Sequence, residues 1–308
     1  MENHLAHGPL APSTEKADEE GPIIPPQAPM TARVRVRRFR GMRGEATYDD
    51  LAVEEPLQIR LAGEDVAVTM RTPGHDFELA AGFLYTEGVI GGREQIEAVG
   101  FCVGESGEPE PNIVNVTPAD RGLLEPGRWG RDFYASSSCG LCGKTSIEQV
   151  RVRVPGREGE AADGGKVRKV RKVSLATLYS LEAKLQAAQT VFDRTGGIHA
   201  AGLFDMEGRL LAVREDVGRH NAVDKLVGYA LLNNMLPLDQ HILLVSSRAS
   251  FEIVQKALVA GVRVMAVISA PSSLAVELAR DGGMVLVAFL RQGRVNVYAG
   301  EERVGNEA

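Results

Sequence analysis

The chain is poor in cysteine, and it lacks both long apolar runs and an excess of positive charge. Three cysteines in 308 residues are an odd number and too few for a secreted disulfide scaffold, so we expect a protein of the reducing cytoplasm. No apolar run approaches the roughly 18 residues of a transmembrane helix, and the N-terminus lacks the basic start and apolar core of a secretory signal. We therefore expect no membrane partner.

The charge balance argues against a general nucleic-acid binder. Lysine and arginine number 35 against 41 aspartates and glutamates, a net charge of −6, whereas nucleic-acid binders carry an excess of basic residues. The hydrophobic fraction of 44% is ordinary for a folded globular protein, and the length allows one large domain or two smaller ones.

Composition and periodicity divide the chain into four segments. Residues 1–30 contain six of the 15 prolines and many acidic or small residues, which predicts a disordered tail. Residues 31–130 alternate like strands around one helix, GHDFELAAGFLYTEG, and predict a smaller, β-rich α+β subdomain. Residues 131–172 have no clear period and predict a mobile loop and linker around the cysteine pair. Residues 173–302 predict an α/β/α domain.

The last of these segments alternates helices with apolar strands. SLATLYSLEAKLQAAQTVF predicts one helix that is capped by Ser174 and has an apolar stripe reaching Phe192. Three later runs are nearly continuous in apolar residues: HILLVSS, VRVMAVIS and MVLVAFLR. Such runs suit strands that helices cover on both faces. We predict a three-layer α/β/α fold with a mixed sheet, closed by a hairpin that turns at Gln292-Gly293.

Cys139 and Cys142 lie three positions apart in SSSCGLCGK, and three kinds of chemistry fit such a pair. A structural zinc site needs two further ligands, which the one remaining cysteine and the scattered histidines do not supply. A thioredoxin-type redox pair should open a helix, and GKTSIEQV is a poor helix start. A sulfur carrier needs an exposed thiol on a flexible, glycine-rich segment, and Lys144 would favour its thiolate. Two incidental surface cysteines would be an oxidation liability.

The histidine of TGGIHAAGLF tests a further chemistry, nucleobase deamination. Zinc deaminases carry His-x-Glu ahead of Cys-x-x-Cys, but here Ala200 and Ala201 follow His199, and the cysteine pair precedes it. This order disfavours a deaminase. His199 itself fits either a hydrogen-bonded residue of a glycine-rich turn or a ligand contact.

Several stretches taken together resemble the FdhD/NarQ family of formate dehydrogenase accessory sulfurtransferases. They are SSSCGLCGK, TGGIHAAGLF, REDVGRHNAVDKLVG, SSRASFEIVQKA and FLRQGRVNVY, with GHDFELAAGFLYTEGVI upstream. Each motif alone would be weak. Their order, with the cysteine pair between two halves of the chain, makes the resemblance specific.

The resemblance implies a cytoplasmic sulfur carrier, and we expect a homodimer. It implies that a cysteine desulfurase supplies the sulfur and that a molybdenum cofactor receives it. The cofactor would be bound as bis(molybdopterin guanine dinucleotide), with GDP as a mimic, and passed to apo formate dehydrogenase. It also implies a cytidine-deaminase-like fold, a cofactor-binding role for residues 173–302, and Cys139 as the persulfide residue with Cys142 beside it. No metal site of the protein's own is implied.

Two strand-to-helix junctions suit a dinucleotide ligand, because such ligands sit beyond the carboxyl ends of the strands in α/β sheets. LLVSSRASFEIV offers Arg248 beside a helix start near Ser250. REDVGRHNAVDKLVG offers Asp216, Arg219 and His220. Ordinary turn chemistry with a helix cap is the alternative explanation of each junction.

The hairpin FLRQGR is the third segment, and the resemblance implies that it contacts the guanine dinucleotide. Gly293 removes side-chain bulk, and the arginines on either side offer planar donors suited to pyrophosphate. An ordinary hairpin with solvent-facing arginines is the alternative. The predicted ligand residues are Phe289, Leu290, Arg291, Gln292, Gly293, Arg294, Arg248 and His220.

Two other classes of function compete with the sulfur carrier. A non-catalytic chaperone would hold and deliver the cofactor, but it has no need of two exposed thiols. A zinc-dependent hydrolase predicts stoichiometric bound zinc.

Overall fold

The computed structural model describes residues 28–120, 172–291 and 293–306. The cysteine pair, Gln292 and nearly all of the predicted tail lie outside these residues. Thr31–Arg40 (β1) and Arg43–Ala52 (β2) form an antiparallel ribbon with an unbroken register from Thr31 to Ala52. The second strand of this ribbon is not among the elements that the sequence predicts.

A four-stranded sheet follows the ribbon, in the order β4-β3-β6-β5. Its strands are Glu55–Leu61 (β3), Glu64–Arg71 (β4), Ile96–Val103 (β5) and Pro109–Pro118 (β6), with a short 3-10 turn at Arg93–Gln95 before β5. Helix Asp76–Thr86 (α1) covers the sheet, and Leu79, Ala80 and Leu84 pack on its apolar face. The helix and the strands around it confirm the pattern that the sequence predicts for residues 31–130.

A six-stranded mixed sheet forms the centre of the molecule, in the order β13-β12-β11-β10-β8-β9. Its strands are His199–Asp205 (β8), Leu210–Asp216 (β9), His241–Val245 (β10), Val264–Val267 (β11), Val285–Arg291 (β12) and Arg294–Ala299 (β13). A two-residue parallel pair, Val173–Ser174 (β7) with Val304–Gly305 (β14), lies apart from it, and a 3-10 turn at Glu301–Arg303 precedes β14.

Helices lie against both faces of the central sheet. They are Leu175–Ala188 (α2), Arg219–Leu232 (α4), Phe251–Val259 (α5) and Ser273–Asp281 (α6). The short helix Thr190–Thr195 (α3) follows α2 and contacts β2. Alternate residues of the buried strands point in opposite directions. Leu243 and Val245 therefore join α4, α5 and α6 in one apolar cluster, whereas Ile242 and Leu244 join α2 in another.

The single helix expected over SLATLYSLEAKLQAAQTVF is wrong, because the structure divides it at Gln189. Ser174 caps α2 as predicted, with its hydroxyl accepting from the Thr177 amide at 3.0 Å. The division has a tertiary cause: the Glu215 carboxylate accepts from the amides of Val191 and Phe192 at 3.0 and 2.9 Å, and so satisfies the first turn of α3. Phe192 is consequently 38% exposed rather than part of a buried stripe.

Helices α1 and α4 join the two halves of the described chain by close backbone contact. A Cβ atom on Gly82 would lie 1.9 Å from the Asp224 carbonyl oxygen, and one on Gly228 would lie 1.8 Å from the Glu78 carbonyl oxygen. Glycine at both positions therefore lets the two helices touch, and α4 is held from the side of the N-terminal sheet.

The structure is a mixed α/β protein with several sheets, as predicted. The resemblance to the cytidine-deaminase fold and the division into domains remain predictions.

Candidate ligand site at the carboxyl edge of the central sheet

One edge of the central sheet gathers nearly all of the predicted ligand segments. Strand β10 is parallel to β11, and β11 is parallel to β12. Strands β9 and β10 are both antiparallel to β8 and are therefore parallel to each other. The carboxyl ends of β9, β10, β11 and β12 consequently meet at one edge, where β8 begins at His199 and β13 begins at Arg294.

Asp216, at the end of β9, is a structural residue of this edge and not a ligand contact. Its side chain is fully buried, and it forms an ion pair with Lys225 at 2.7 Å. It also accepts from the amides of Gly218 and Thr72 at 2.8 and 3.1 Å. The prediction that it faces a ligand is wrong, because its oxygens already have partners within the fold.

The first turn of α4 carries Arg219 and His220. His220 is buried, and its Nε2 atom lies 4.0 Å from Glu252 Oε2, so the starts of α4 and α5 are neighbours. The Nε atom of Arg219 is buried, and in the described chain no group accepts a hydrogen bond from it. A guanidinium nitrogen in that state is suited to bind an anionic ligand.

The turn between β10 and α5 uses some of its polar groups internally and leaves others open. Ser246 Oγ accepts from the Ala200 amide at 2.9 Å, and Ser247 Oγ donates to the Arg248 carbonyl at 3.1 Å. The Arg248 side chain is exposed. Ser250 is the residue before α5, but its hydroxyl does not cap the helix and is a second buried polar atom with no partner among the residues described.

His199 stands beside Arg219 at this edge, and the structure supports an electrostatic link between them. Burial lowers the pKa of His199, the Arg219 guanidinium lowers it further, and Asp216 opposes both effects. Burial and the arginine thus both favour the neutral imidazole. A neutral imidazole can donate or accept a hydrogen bond without adding to the positive charge of Arg219.

The hairpin between β12 and β13 extends the edge. Arg291 pairs with Arg294 across the turn, and both side chains are exposed. Gly293 has φ +74° and open space around it, so its backbone is accessible to a ligand. Phe289 is 36% exposed and has the left-handed φ of 55°, while its amide donates to the Ser269 carbonyl at 3.2 Å. Non-glycine residues in that conformation cluster at functional sites.

Leu290 differs from its neighbours in the hairpin. Its side chain is 1% exposed and packs in the apolar cluster on the α2 face of the sheet. Only its backbone is therefore available to a ligand.

The edge brings the predicted residues onto one surface but spreads them along it. Strands β10 and β12 are separated by β11, which at the usual strand spacing is roughly 10 Å between the two. An extended ligand that carries phosphates at one end and a flat base at the other suits that span. Of the two junctions, only Arg248 and His220 are predicted ligand residues from the sequence. The structure shows in addition that Ser250 Oγ and Arg219 Nε are buried without partners among the described residues. The only sequence signal for either residue is a serine or an arginine at a helix start.

The third cysteine does not lie at the carboxyl edge of the central sheet. Cys102 lies on β5 of the N-terminal sheet, and its Sγ atom is 4.0 Å from Arg60 Nη1. Among the described residues, no group of three or more histidine, cysteine or acidic side chains is arranged to hold a metal ion. None of the helices that the structure describes is long and apolar enough to cross a membrane.

Comparison with known proteins identifies the lineage. The model of the FdhD/NarQ family matches residues 52–305. The chain belongs to the FdhD/NarQ family. It is 50% identical over 279 residues to the sulfur carrier protein FdhD of Mycolicibacterium paratuberculosis, covering 90% of this chain and 99% of that relative. It is also 50% identical to the protein of the same name from Streptomyces avermitilis, covering 91% and 97%.

A solved structure supports the fold of the family. The crystal structure of a formate dehydrogenase accessory protein from Desulfotalea psychrophila matches with a TM-score of 0.68, covering 90% of this chain and all of that one. Its sequence identity is 24%, so this likeness shows the fold alone.

Proposed function

We propose that this protein is a cytoplasmic, homodimeric sulfur carrier that formate dehydrogenase requires for activity. It accepts sulfur from a cysteine desulfurase as a persulfide on Cys139 and transfers the sulfur to a molybdenum cofactor. The cofactor, bis(molybdopterin guanine dinucleotide), is bound as a substrate at the carboxyl edge of the central sheet and is then passed to apo formate dehydrogenase.

The observation that carries the proposal is the set of open cationic and polar groups at this edge in a member of a family whose relatives are sulfur carriers. Arg219 and Ser250 present buried polar atoms without partners among the described residues, and Arg248, Arg291 and Arg294 are exposed along the same edge. Planar guanidinium groups bind phosphate with two parallel hydrogen bonds. A pyrophosphate-containing dinucleotide fits this chemistry.

Loading of Cys139 is an exchange reaction that needs no external oxidant. The Cys139 thiolate attacks the terminal sulfur of the desulfurase persulfide. A new sulfur–sulfur bond forms on Cys139, the sulfur–sulfur bond of the desulfurase breaks, and the desulfurase leaves as a thiolate. The proton of the Cys139 thiol is released to solvent.

Delivery of the sulfur as sulfide requires two electrons, and Cys142 can supply them. Its thiolate attacks Cys139 Sγ, a disulfide forms between the two cysteines, and the carried sulfur departs as sulfide toward the metal. The disulfide is then reduced by a dithiol reductant of the cytoplasm. In these two steps Cys139 carries the sulfur, and Cys142 releases it.

The proposal is tested by replacing each cysteine in a strain that depends on the protein for formate dehydrogenase activity. Cys139→Ala should abolish activation and Cys142→Ala should impair it, because the relay loses its carrier or its electron source. Cys102→Ala is the matched control and should retain full activity. Mass spectrometry after incubation with a cysteine desulfurase and cysteine should show mass added in sulfur-atom steps that reductant removes. Full activation by Cys139→Ala would contradict the relay.

A non-catalytic chaperone remains the alternative function, since the carboxyl edge could serve it equally. The double variant Cys139→Ala, Cys142→Ala distinguishes the two. A chaperone would still bind the cofactor and activate formate dehydrogenase, whereas a carrier would bind it without activation.

A further inference from the structure

A buried polar network ties the first turn of α4 to the end of β4. Asn221 donates from Nδ2 to the Met70 carbonyl at 2.7 Å and to Asp216 Oδ1 at 3.1 Å. Its Oδ1 atom accepts from Thr69 Oγ1 at 3.3 Å. Asn221 is 7% exposed and two positions from Arg219, and two of its three hydrogen bonds reach β4 of the N-terminal sheet while the third binds Asp216.

Thr72 completes the connection from the other side. Its amide donates to Asp216 Oδ2 at 3.1 Å, and its hydroxyl accepts from the Val217 amide at 3.2 Å. Its carbonyl accepts from Lys225 Nζ at 2.8 Å. The three polar groups of this buried residue therefore bind the end of β9, the residue after it, and Lys225 within α4.

The end of β4 is itself fixed. Arg71 is 1% exposed and donates to Asp76 Oδ1 and to Asn112 Oδ1, both at 2.9 Å. These contacts attach it to the start of α1 and to β6. The anchor for the first turn of α4 is thus a rigid part of the neighbouring sheet.

A network of this kind has one low-energy arrangement. A buried charge or donor that loses its partner strongly destabilises the folded protein. The residues of this network therefore keep their geometry together or lose it together. The Asp216–Lys225 pair has no exposure to solvent that could replace a lost contact. The turn that carries Arg219 is therefore tied to the end of β4 as well as to Asp216 at the carboxyl edge.

We propose that Asn221, Thr72 and the Asp216–Lys225 pair are positioning residues, which hold the α4 turn so that Arg219 faces the ligand. This inference rests on the ligand site of the proposed function. It means that the four-stranded sheet is part of the binding apparatus, although it contributes no ligand contact of its own among the residues discussed above.

The test compares two buried threonines that receive the same isosteric change. Thr72→Val removes the hydroxyl that accepts from Val217, and Thr86→Val removes a hydroxyl that donates to Asp224 Oδ1 at 2.7 Å near the middle of α4. Both residues are at most 1% exposed. Asn221→Ala removes three hydrogen bonds of the network, to Thr69, Met70 and Asp216. The readouts are amide hydrogen exchange of residues 217–220, GDP affinity by calorimetry, and urea unfolding.

We expect Asn221→Ala to increase exchange in residues 217–220 and to weaken GDP binding about tenfold, which corresponds to roughly 1.4 kcal/mol. Thr72→Val should change both in the same direction and by less. Thr86→Val should lower the stability but leave local exchange and GDP affinity within about twofold of the original protein, because its contacts lie away from the turn.

Unchanged exchange in both Asn221→Ala and Thr72→Val, or equal changes in Thr86→Val, would overturn the inference. A failure of the unaltered protein to bind GDP would count against the proposed ligand instead, and the exchange measurement would still decide whether the network orders the turn. Should Asn221→Ala not fold, the two valine variants give the same comparison.

Discussion

The two edges of the central sheet contain similar residues but use them differently. At the edge where β10, β11 and β12 begin, Arg263 donates to the Gly282 carbonyl at 2.7 Å and Arg303 donates to the Gly283 carbonyl at 2.9 Å. At the carboxyl edge, Arg219 has a buried nitrogen with no partner within the described residues. The turns of the first edge are satisfied by their own side chains, whereas those of the second leave cationic groups available.

Left-handed backbone conformations occur at both edges. The turns before β11 and β12 place left-handed φ values at Gly261, +80°, and Gly283, +60°, where glycine adopts them without strain, and Asn234 before β10 has φ 56°. The carboxyl edge places φ 55° at Phe289. On the first edge the His241 Nδ1 atom is buried without a partner among the described residues, and burial lowers the pKa of that imidazole, which favours its neutral form. The buried guanidinium nitrogen of Arg219, which has no partner in the part of the chain that the structure describes, therefore distinguishes the carboxyl edge, and backbone strain does not.

Replacing one arginine from each edge should separate ligand binding from stability most strongly. Arg219→Ala should weaken GDP binding by about 3 kcal/mol, the upper range for a charge-assisted hydrogen bond, because this guanidinium is partly buried. Arg263→Ala should lower the free energy of unfolding by about 1 kcal/mol and leave GDP affinity unchanged, since its bond only closes a turn. Calorimetry and urea unfolding of both variants provide the measurements.

Equal losses of GDP affinity in the two arginine variants would remove the distinction between the edges. Loss of affinity in neither would move the phosphate site away from α4.

The contrast between the edges also marks how far the sequence could be interpreted. Strands β10, β11 and β12 were predictable because an apolar run buried on both faces leaves a local signal. Strand β2, RGEATYDDLA, was not, because its ribbon has hardly any buried face and so little apolar alternation. The break at Gln189 depends on Glu215, which is distant in sequence, and no local pattern announces it.

The candidate site was predictable at the level of segments but not of atoms. Glycine, serine and arginine at two strand-to-helix junctions predicted both turns, and both turns lie at the carboxyl edge of the central sheet. Which carboxylate or guanidinium in a turn is already paired depends on tertiary neighbours: Asp216 binds Thr72 from another sheet, and that contact has no signal near Asp216 itself. The roles of Cys139 and Cys142 remain predictions from the resemblance and the motif.

The backbone of Phe289 provides a prediction of intermediate size. Phe289→Gly should be more stable than Phe289→Ala by about 1 kcal/mol, because only glycine occupies a left-handed conformation without steric cost. Both variants lose the aromatic ring, so that loss cancels in the comparison. Ala288→Gly, one residue earlier in the same strand, should show the usual opposite order and destabilise the protein. Urea unfolding measures all three, and an alanine variant more stable than the glycine variant would show that position 289 is unstrained.

The smallest expected effect is a change in the titration of His199, and it reports directly on the charge at the carboxyl edge. The pKa of this imidazole lies below its usual value because of burial and because of the Arg219 guanidinium. A phosphate ligand that neutralises Arg219 should therefore raise the pKa of His199, and Arg219→Ala should raise it without ligand. Arg263→Ala should leave the pKa of His199 unchanged.

Since the folded-state pKa of His199 is lowered, the unfolded chain binds the extra proton first as the pH falls. The stability from His199 is thus present above its unfolded pKa of about 6.5 and is lost as the pH falls below it. Proton NMR of the imidazole with and without GDP gives the titration, and a pKa that GDP leaves unchanged would place the phosphates elsewhere.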